Sequence, residues 1–276
     1  MAIDYISLWN EQHAAADRQK NFFTGGTPFW DDPVNARHFL HRLFHGDHSR
    51  IETQLAVLGI LPGASVLDIG AGPGTLAVPL ALAGCSVTTV EPSSAMREMM
   101  QEYRAMSGAP EIRQIPCRWE DADPAAIGMH DVVVASLSLA LDDIGSSLLK
   151  MDAAATKSVH LFWFLSPPSR DSVNDILWPK LHGTEFAGEP RADLLWNCLC
   201  QLGIYPHLSV GDLKKERRFS EREGVVDHCC RSVNADEEWQ RDIVAAFVEE
   251  RIARDDEGFY VPVRARTAHL WWEKDS

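Results

Sequence analysis

The segment Val66-Leu67-Asp68-Ile69-Gly70-Ala71-Gly72-Pro73-Gly74-Thr75 constrains the fold more than any other stretch of the chain. It reads as a buried strand that ends in an acid and runs into three glycines at alternate positions. Leu76-Ala77-Val78-Pro79-Leu80-Ala81-Leu82-Ala83 then follows as an apolar helix. Glycine lets the backbone bend sharply and approach a ligand that a Cβ would push away. The amino end of the following helix would face that ligand. A strand, a glycine loop and a helix at the carboxyl end of the first strand make a nucleotide-type site in an α/β fold.

Composition narrows the partners. At 276 residues the chain has room for one α/β domain with additions. A formal net charge of -14 argues against nonspecific nucleic-acid binding, which requires cations to neutralise phosphates. The dense basic run Lys214-Lys215-Glu216-Arg217-Arg218 is short and reads as a solvated strand edge or loop. No apolar run is long enough to cross a bilayer. The residues Met1-Ala2-Ile3-Asp4-Tyr5 lack the basic region and apolar core of a secretory signal. Six cysteines without framework spacing fit reduced thiols, so the expected location is cytoplasmic.

The pattern predicts helices over residues 1–20, from Pro33 to Phe44 and over 49–58, with Ile3, Ile6 and Trp9 on one side of the first. In the second, Ala36, Phe39, Leu40 and Leu43 share a face, and His38, His41, His45 and His48 fall opposite. Strands are expected at 86–90, 111–115, 131–135 and 159–165, separated by helices at 93–107 and 142–155. Such spacing means parallel βαβ units with right-handed crossovers. After Pro167-Pro168 the alternation stops. Helices are expected at 172–181, 192–202, 221–231 and 237–254, with strands at 204–210, 213–219 and 263–273.

Dinucleotide enzymes use G-x-G-x-x-G, whereas this loop is Gly70-x-Gly72-x-Gly74 preceded by Asp68. That spacing resembles motif I of the class I S-adenosylmethionine-dependent methyltransferases. Glu91 at the end of the second strand, Pro92-Ser93-Ser94-Ala95-Met96 after it, Cys117-Arg118-Trp119-Glu120-Asp121 past the third strand, and Asp131–Leu139 at the fourth resemble the family's later segments in order. The resemblance implies a cofactor site made of Asp68, Gly70, Ala71, Gly72, Gly74, Glu91, Pro92, Met96, Trp119, Glu120, Ser136 and Ser138. Asp68 would sit near the ligand's ammonium, Glu91 on the ribose hydroxyls, and Met96 and Trp119 beside adenine. Glu120 and Asp121 are alternative acceptors for its amino group. Ser136 and Ser138 would lie near the reactive methyl.

The implied architecture is a three-layer Rossmann-like sandwich. It has a mostly parallel seven-stranded sheet with an antiparallel closing strand, plus an N-terminal helical cap or lid over residues 1–60. Residues 61–276 would form the methyltransferase domain, with a helical insertion at about 167–203. The expected function is methyl transfer to a small-molecule acceptor, with no nucleic acid or membrane as partner. A noncatalytic S-adenosylmethionine-binding module and an NAD(P)-dependent oxidoreductase are the alternatives. Phe29 and Trp30 are candidates for covering the cavity, and His38 or His41 for lining it, against plain packing and solvent exposure. Cys198-x-Cys200 and Cys229-Cys230 lack structural zinc spacing, and no metal is expected.

Overall fold

Five parallel strands carry the frame: β1 (Ser65–Ile69), β2 (Ser86–Val90), β3 (Arg113–Ile115), β4 (His130–Ser136) and β5 (Ala155–Phe164). Between them run α4 (Ala77–Leu82), α5 (Ser94–Ser107), α6 (Pro124–Ile127) and α7 (Ile144–Ala154). Ahead of β1 come α1 (Tyr5–Thr24), a 3-10 turn (Phe29–Asp31), α2 (Pro33–His45) and α3 (Ser49–Leu58). Beyond β5 come α8 (Ser169–His182), α9 (Ala192–Gln201), β6 (His207–Phe219), α10 (Arg222–Val233), α11 (Glu238–Glu249), β7 (Ala253–Asp255) and β8 (Gly258–Glu273). The computed structural model describes residues 3–24, 29–45, 48–166, 169–256 and 258–274.

The strand order is β3-β2-β1-β4-β5-β8-β6, with β7 paired to the start of β8. β8 is antiparallel to both β5 and β6, so the expected mostly parallel sheet with an antiparallel closing strand is present. Because strand side chains alternate, two cores form. Leu67, Ile69, Val133, Ala135, Leu161 and Trp163 pack with α1, α7 and α9. Val66, Val134 and Phe162 pack with residues of α3, α4 and α5. The same alternation buries Trp272 and leaves Trp271 half-exposed.

Several expected boundaries move. The break expected at Gly211-Asp212 does not occur: β6 is one strand whose thirteen residues all pair with β8. β8 begins at Gly258 and runs through Pro262, well before the expected start at Val263. Proline is tolerated there because it costs a donor on one side of the strand only. The last helix stops at Glu249, and of the residues expected to extend it Ala253 and Arg254 belong to β7.

The first 60 residues divide among three cores. Trp9 of α1 is fully buried with its ring 6.3 Å from that of Trp163. Ala36 and Leu40 of α2 pack on Ala95, Met96 and Met99 of α5. Leu58 of α3 packs in the layer of α4. The segment 167–203 divides as well. α9 joins α1 and α7, whereas Leu177, Trp178 and Leu181 of α8 form a separate core with Val225, Val226 and Val233 of α10 and Val244 and Val248 of α11. β5 stops pairing with β8 at Thr267, and β8 continues to pair with β6 as far as Phe259. This β6–β8 arm, widened by β7 at its far end, reaches roughly 25 Å past the sheet at about 3.3 Å per residue. It carries the α8–α10–α11 core beyond the carboxyl ends of the parallel strands.

Candidate functional site

The glycine loop turns where β1 ends. Gly70, Gly72 and Gly74 all have positive φ (65°, 56° and 82°), a region in which a Cβ is strained. The surroundings separate their roles. A Cβ on Gly70 would overlap Ser138 Cβ, and one on Gly74 would stand 2.8 Å from both Met100 Cγ and Val78 Cγ2. At Gly72 no atom lies within 4 Å of that position. Gly70 and Gly74 therefore serve close packing, and Gly72 leaves one side of the loop open. Ala71 is buried beneath it. The expected apolar helix is shorter than its apolar run, spanning Ala77–Leu82.

Two acids meet this loop. Asp68 is 2% exposed, and burial pushes its carboxyl up to about 7. The neighbouring Glu91 adds to the rise, and the Ala77 backbone N–H opposes it. Glu91 is also buried, and its carboxyl is raised for the same reason. The Gly72 N–H donates to Glu91 Oε2 (2.8 Å) and the Ser93 N–H to Oε1 (2.9 Å). Those bonds fix the carboxylate and use one of the roughly two lone-pair sites on each oxygen. Ser93, the cap of α5, accepts the Met96 N–H and donates to the Trp30 carbonyl (2.7 Å), so the 3-10 turn is tied beside Glu91. Arg97 Nη1 donates to the carbonyls of Glu91 and of the exposed Pro92.

The third component is the carboxyl end of β4. Ala135 is in register with Ile69, which sets Ser136 level with the start of the loop. Leu137 follows with φ 58° and donates its N–H to the Phe162 carbonyl. A non-glycine residue in that region is held there by its surroundings. Ser138 Oγ donates to the Ile69 carbonyl (2.6 Å). Ser136 Oγ accepts from Gln54 Nε2 (3.0 Å) and Arg50 Nη1 (3.4 Å), and Arg50 Nη1 also donates to Gln54 Oε1 (2.8 Å). Sequence reasoning missed Arg50 and Gln54. The available signal was Gln54 itself, a polar residue inside the helical stripe Ile51-Leu55-Leu58.

Residues 66–153 match the family model of a methyltransferase domain. The fold of these residues is the Rossmann-like one of methyltransferase domains. A relative from Haemophilus influenzae (strain Rd), described as an uncharacterized protein, is 27% identical over 227 residues, 80% of each chain. Among solved structures, a provisionally described methyltransferase of Bacillus halodurans C-125 is 14% identical, with a TM-score of 0.57 over 83% of this chain and 100% of its own. The YcgJ protein of Bacillus subtilis is 12% identical with the same TM-score over 83% of this chain and 100% of its own. A provisionally described methyltransferase of an antibiotic biosynthesis pathway from Anabaena variabilis is 17% identical, with a TM-score of 0.53 over 81% of this chain and 96% of its own. At these identities the structural likeness is one of fold.

The other residues expected at the cofactor, and the candidates for covering or lining the cavity, take the following places. Trp119 is 3% exposed, its Nε1 donates to the Ser147 carbonyl of α7, and Lys150 Nζ sits 4.6 Å from its ring. Its indole is thus a core group, because burying it against α7 satisfies both its apolar body and its N–H. Met96 is enclosed under α2. Glu120 accepts from Arg118 Nη2 (2.9 Å) and from the Asp142 N–H (3.1 Å). Trp30 is 51% exposed with its ring 5.2 Å from Phe39. His41 is exposed, and the side chains of Phe29 and His38 lie outside the described residues. Cys198 donates to the Tyr5 carbonyl and burial pushes its thiol up to about 12. Cys229 and Cys230 are buried in the α8–α10–α11 core. Among the described residues no three His, Cys, Asp or Glu side chains converge as a metal site. A separate cavity of about 780 Å³ opens at the opposite edge of the sheet, between Ser65, Ser86, Arg113 and His130.

Proposed function

We propose that this protein transfers a methyl group from S-adenosylmethionine to a small-molecule acceptor. The observation that carries the reading is the pair of buried carboxylates, Asp68 and Glu91, at one glycine loop. Asp68, at the loop itself, opposes a pyrophosphate and suits an ammonium, while Glu91, at the end of β2, suits a ribose diol, as it would for either kind of nucleotide. Glu91, already oriented by two N–H donors, keeps acceptor capacity on both oxygens for the vicinal ribose hydroxyls. Asp68 supplies the negative charge for the ammonium group. Gly72 keeps the loop surface clear for the sugar and amino-acid parts.

The donor, when bound, supplies a methyl already activated by its sulfonium. The chain's task is then to position the acceptor and exclude water. The α8–α10–α11 core, held out beyond the strand ends, is read as the wall of the acceptor pocket, and the 3-10 turn beside Ser93 as the wall on the donor side. A net charge of -14 favours small-molecule acceptors over nucleic acids. The test is incubation of the protein with methyl-labelled S-adenosylmethionine and the small-molecule fraction of a cell extract. Label recovered in a new small product supports the reading. Binding of the donor with no label transferred would instead favour a noncatalytic binding module.

A further inference from the structure

We infer that the cavity at the amino ends of the strands binds a small molecule through an oxyanion, a carboxylate or a phosphate, gripped by Arg113 and His130. The glycine loop lies at the other end of the same strands, so this site goes beyond the methyl-donor reading and does not depend on it. The cavity has a local origin. β3 has three residues, which pair with Thr88, Thr89 and Val90 of β2. Among the described residues, Ser86 and Val87 therefore have no strand partner on that side, and the amino half of β2 stands open. The short helix α6 ends at Ile127, and Gly128-Met129 lead into β4 along the far wall. The space enclosed is about 780 Å³, within the range of small-ligand sites.

Two side chains on the wall lack the partners their chemistry calls for. Arg113 Nη1 and Nη2 donate to the carbonyls of Ile127 and Ala126, which uses two of about five N–H donors on a guanidinium. Among the described residues no carboxylate pairs with it. Glu111, on the same wall, is taken by Arg104 (3.4 Å), and Asp131 by Lys157 (3.0 Å). A guanidinium fixed by carbonyls and facing no acid is shaped for a planar carboxylate or a phosphate. His130 is 6% exposed, and its Nδ1 has no hydrogen-bond partner, which costs stability unless a ligand makes use of the group. Burial, and then the charge of Arg113, hold its imidazole below the usual range, against the opposing effects of the Gly128 backbone and Asp131. Without an anion the ring is therefore neutral, and an anion that offsets Arg113 draws a proton onto it. Ser86, Thr88, Gln101 and Gln114 bring hydroxyls and amides to the remaining wall, which suits a polar ligand.

The test titrates inorganic phosphate, and separately succinate, into the full chain with isotope-labelled histidine nitrogens, read by NMR. The His130 signals are assigned by their loss in His130→Gln. At least one probe is expected to shift them saturably and to raise the pH at which His130 titrates. The tighter probe identifies phosphate or carboxylate as the group the site takes. Arg113→Gln is expected to weaken that binding by about 10- to 100-fold, the worth of one charged hydrogen-bonded contact. Unmoved signals from the stacked pair His160 and His269, in β5 and β8, report that the variant is folded. No saturable shift of His130 with either probe, or an affinity unchanged in Arg113→Gln, would overturn the assignment and leave the donor reading untouched.

Discussion

Asp68 holds its proton far above the ordinary carboxyl value of 3.8, at about 7. The folded chain therefore binds this proton more tightly than the unfolded chain. Its contribution to stability is fully present below about pH 4 and is lost as pH rises through 7. Glu91 acts in the same direction. Urea unfolding of the unliganded protein is expected to show stability falling across that window, with the slope reduced in Asp68→Asn. A ligand ammonium favours the ionised carboxylate, so affinity for S-adenosylhomocysteine is expected to rise between pH 6 and 8 in wild type and to lose that rise in Asp68→Asn. The glycines separate in the same experiments. Gly72→Ala meets open space, and its cost is backbone strain of about 1–2 kcal/mol. Gly74→Ala adds crowding against Met100 and Val78, a further ~1–3 kcal/mol. Urea midpoints are expected to fall further for Gly74→Ala, while calorimetry is expected to show the larger loss of ligand affinity for Gly72→Ala.

At the level of elements, the N-terminal helix illustrates what a local pattern can and cannot carry. The amphipathic spacing put Ile3, Ile6 and Trp9 on one side; Trp9 is fully buried, yet Ile3 is 61% exposed. What covers that side, Trp163 and the helices α7 and α9, comes from residues more than 130 positions away. Asn10 Oδ1 even accepts the Ile144 N–H at the start of α7 (3.1 Å). Trp9→Ala is thus expected to cost about 3–5 kcal/mol in urea unfolding, as for a core aromatic. A loss below ~1 kcal/mol would mean that α1 is a dispensable cover. The same logic explains β6. The strands expected at 204–210 and 213–219 are joined because pairing with β8 continues through Gly211 and Asp212. Trp119, past β3, is enclosed by α7, which arrives later in the chain.

For the molecule as a whole, the parallel strands and the loop were legible because both depend on short-range features: β-branched runs, glycine spacing and an acid at each of two strand ends. The placement of α3 and of the α8–α10–α11 core was not, since their sequences carry ordinary helical patterns and no fixed spacing to the loop. Arg50 reaches Ser136 across 86 positions, a meeting that no local window contains. The arrangement that results is an α/β sheet bearing the glycine loop, with added helices along the carboxyl edge of that sheet. The central claim is that this loop, with its two buried acids, takes a sulfonium donor and rejects a pyrophosphate. Parallel calorimetric titrations with S-adenosylmethionine and NADH test it most directly. One S-adenosylmethionine is expected to bind per chain, with no heat of binding from NADH; saturable binding of NADH with none of S-adenosylmethionine would contradict it.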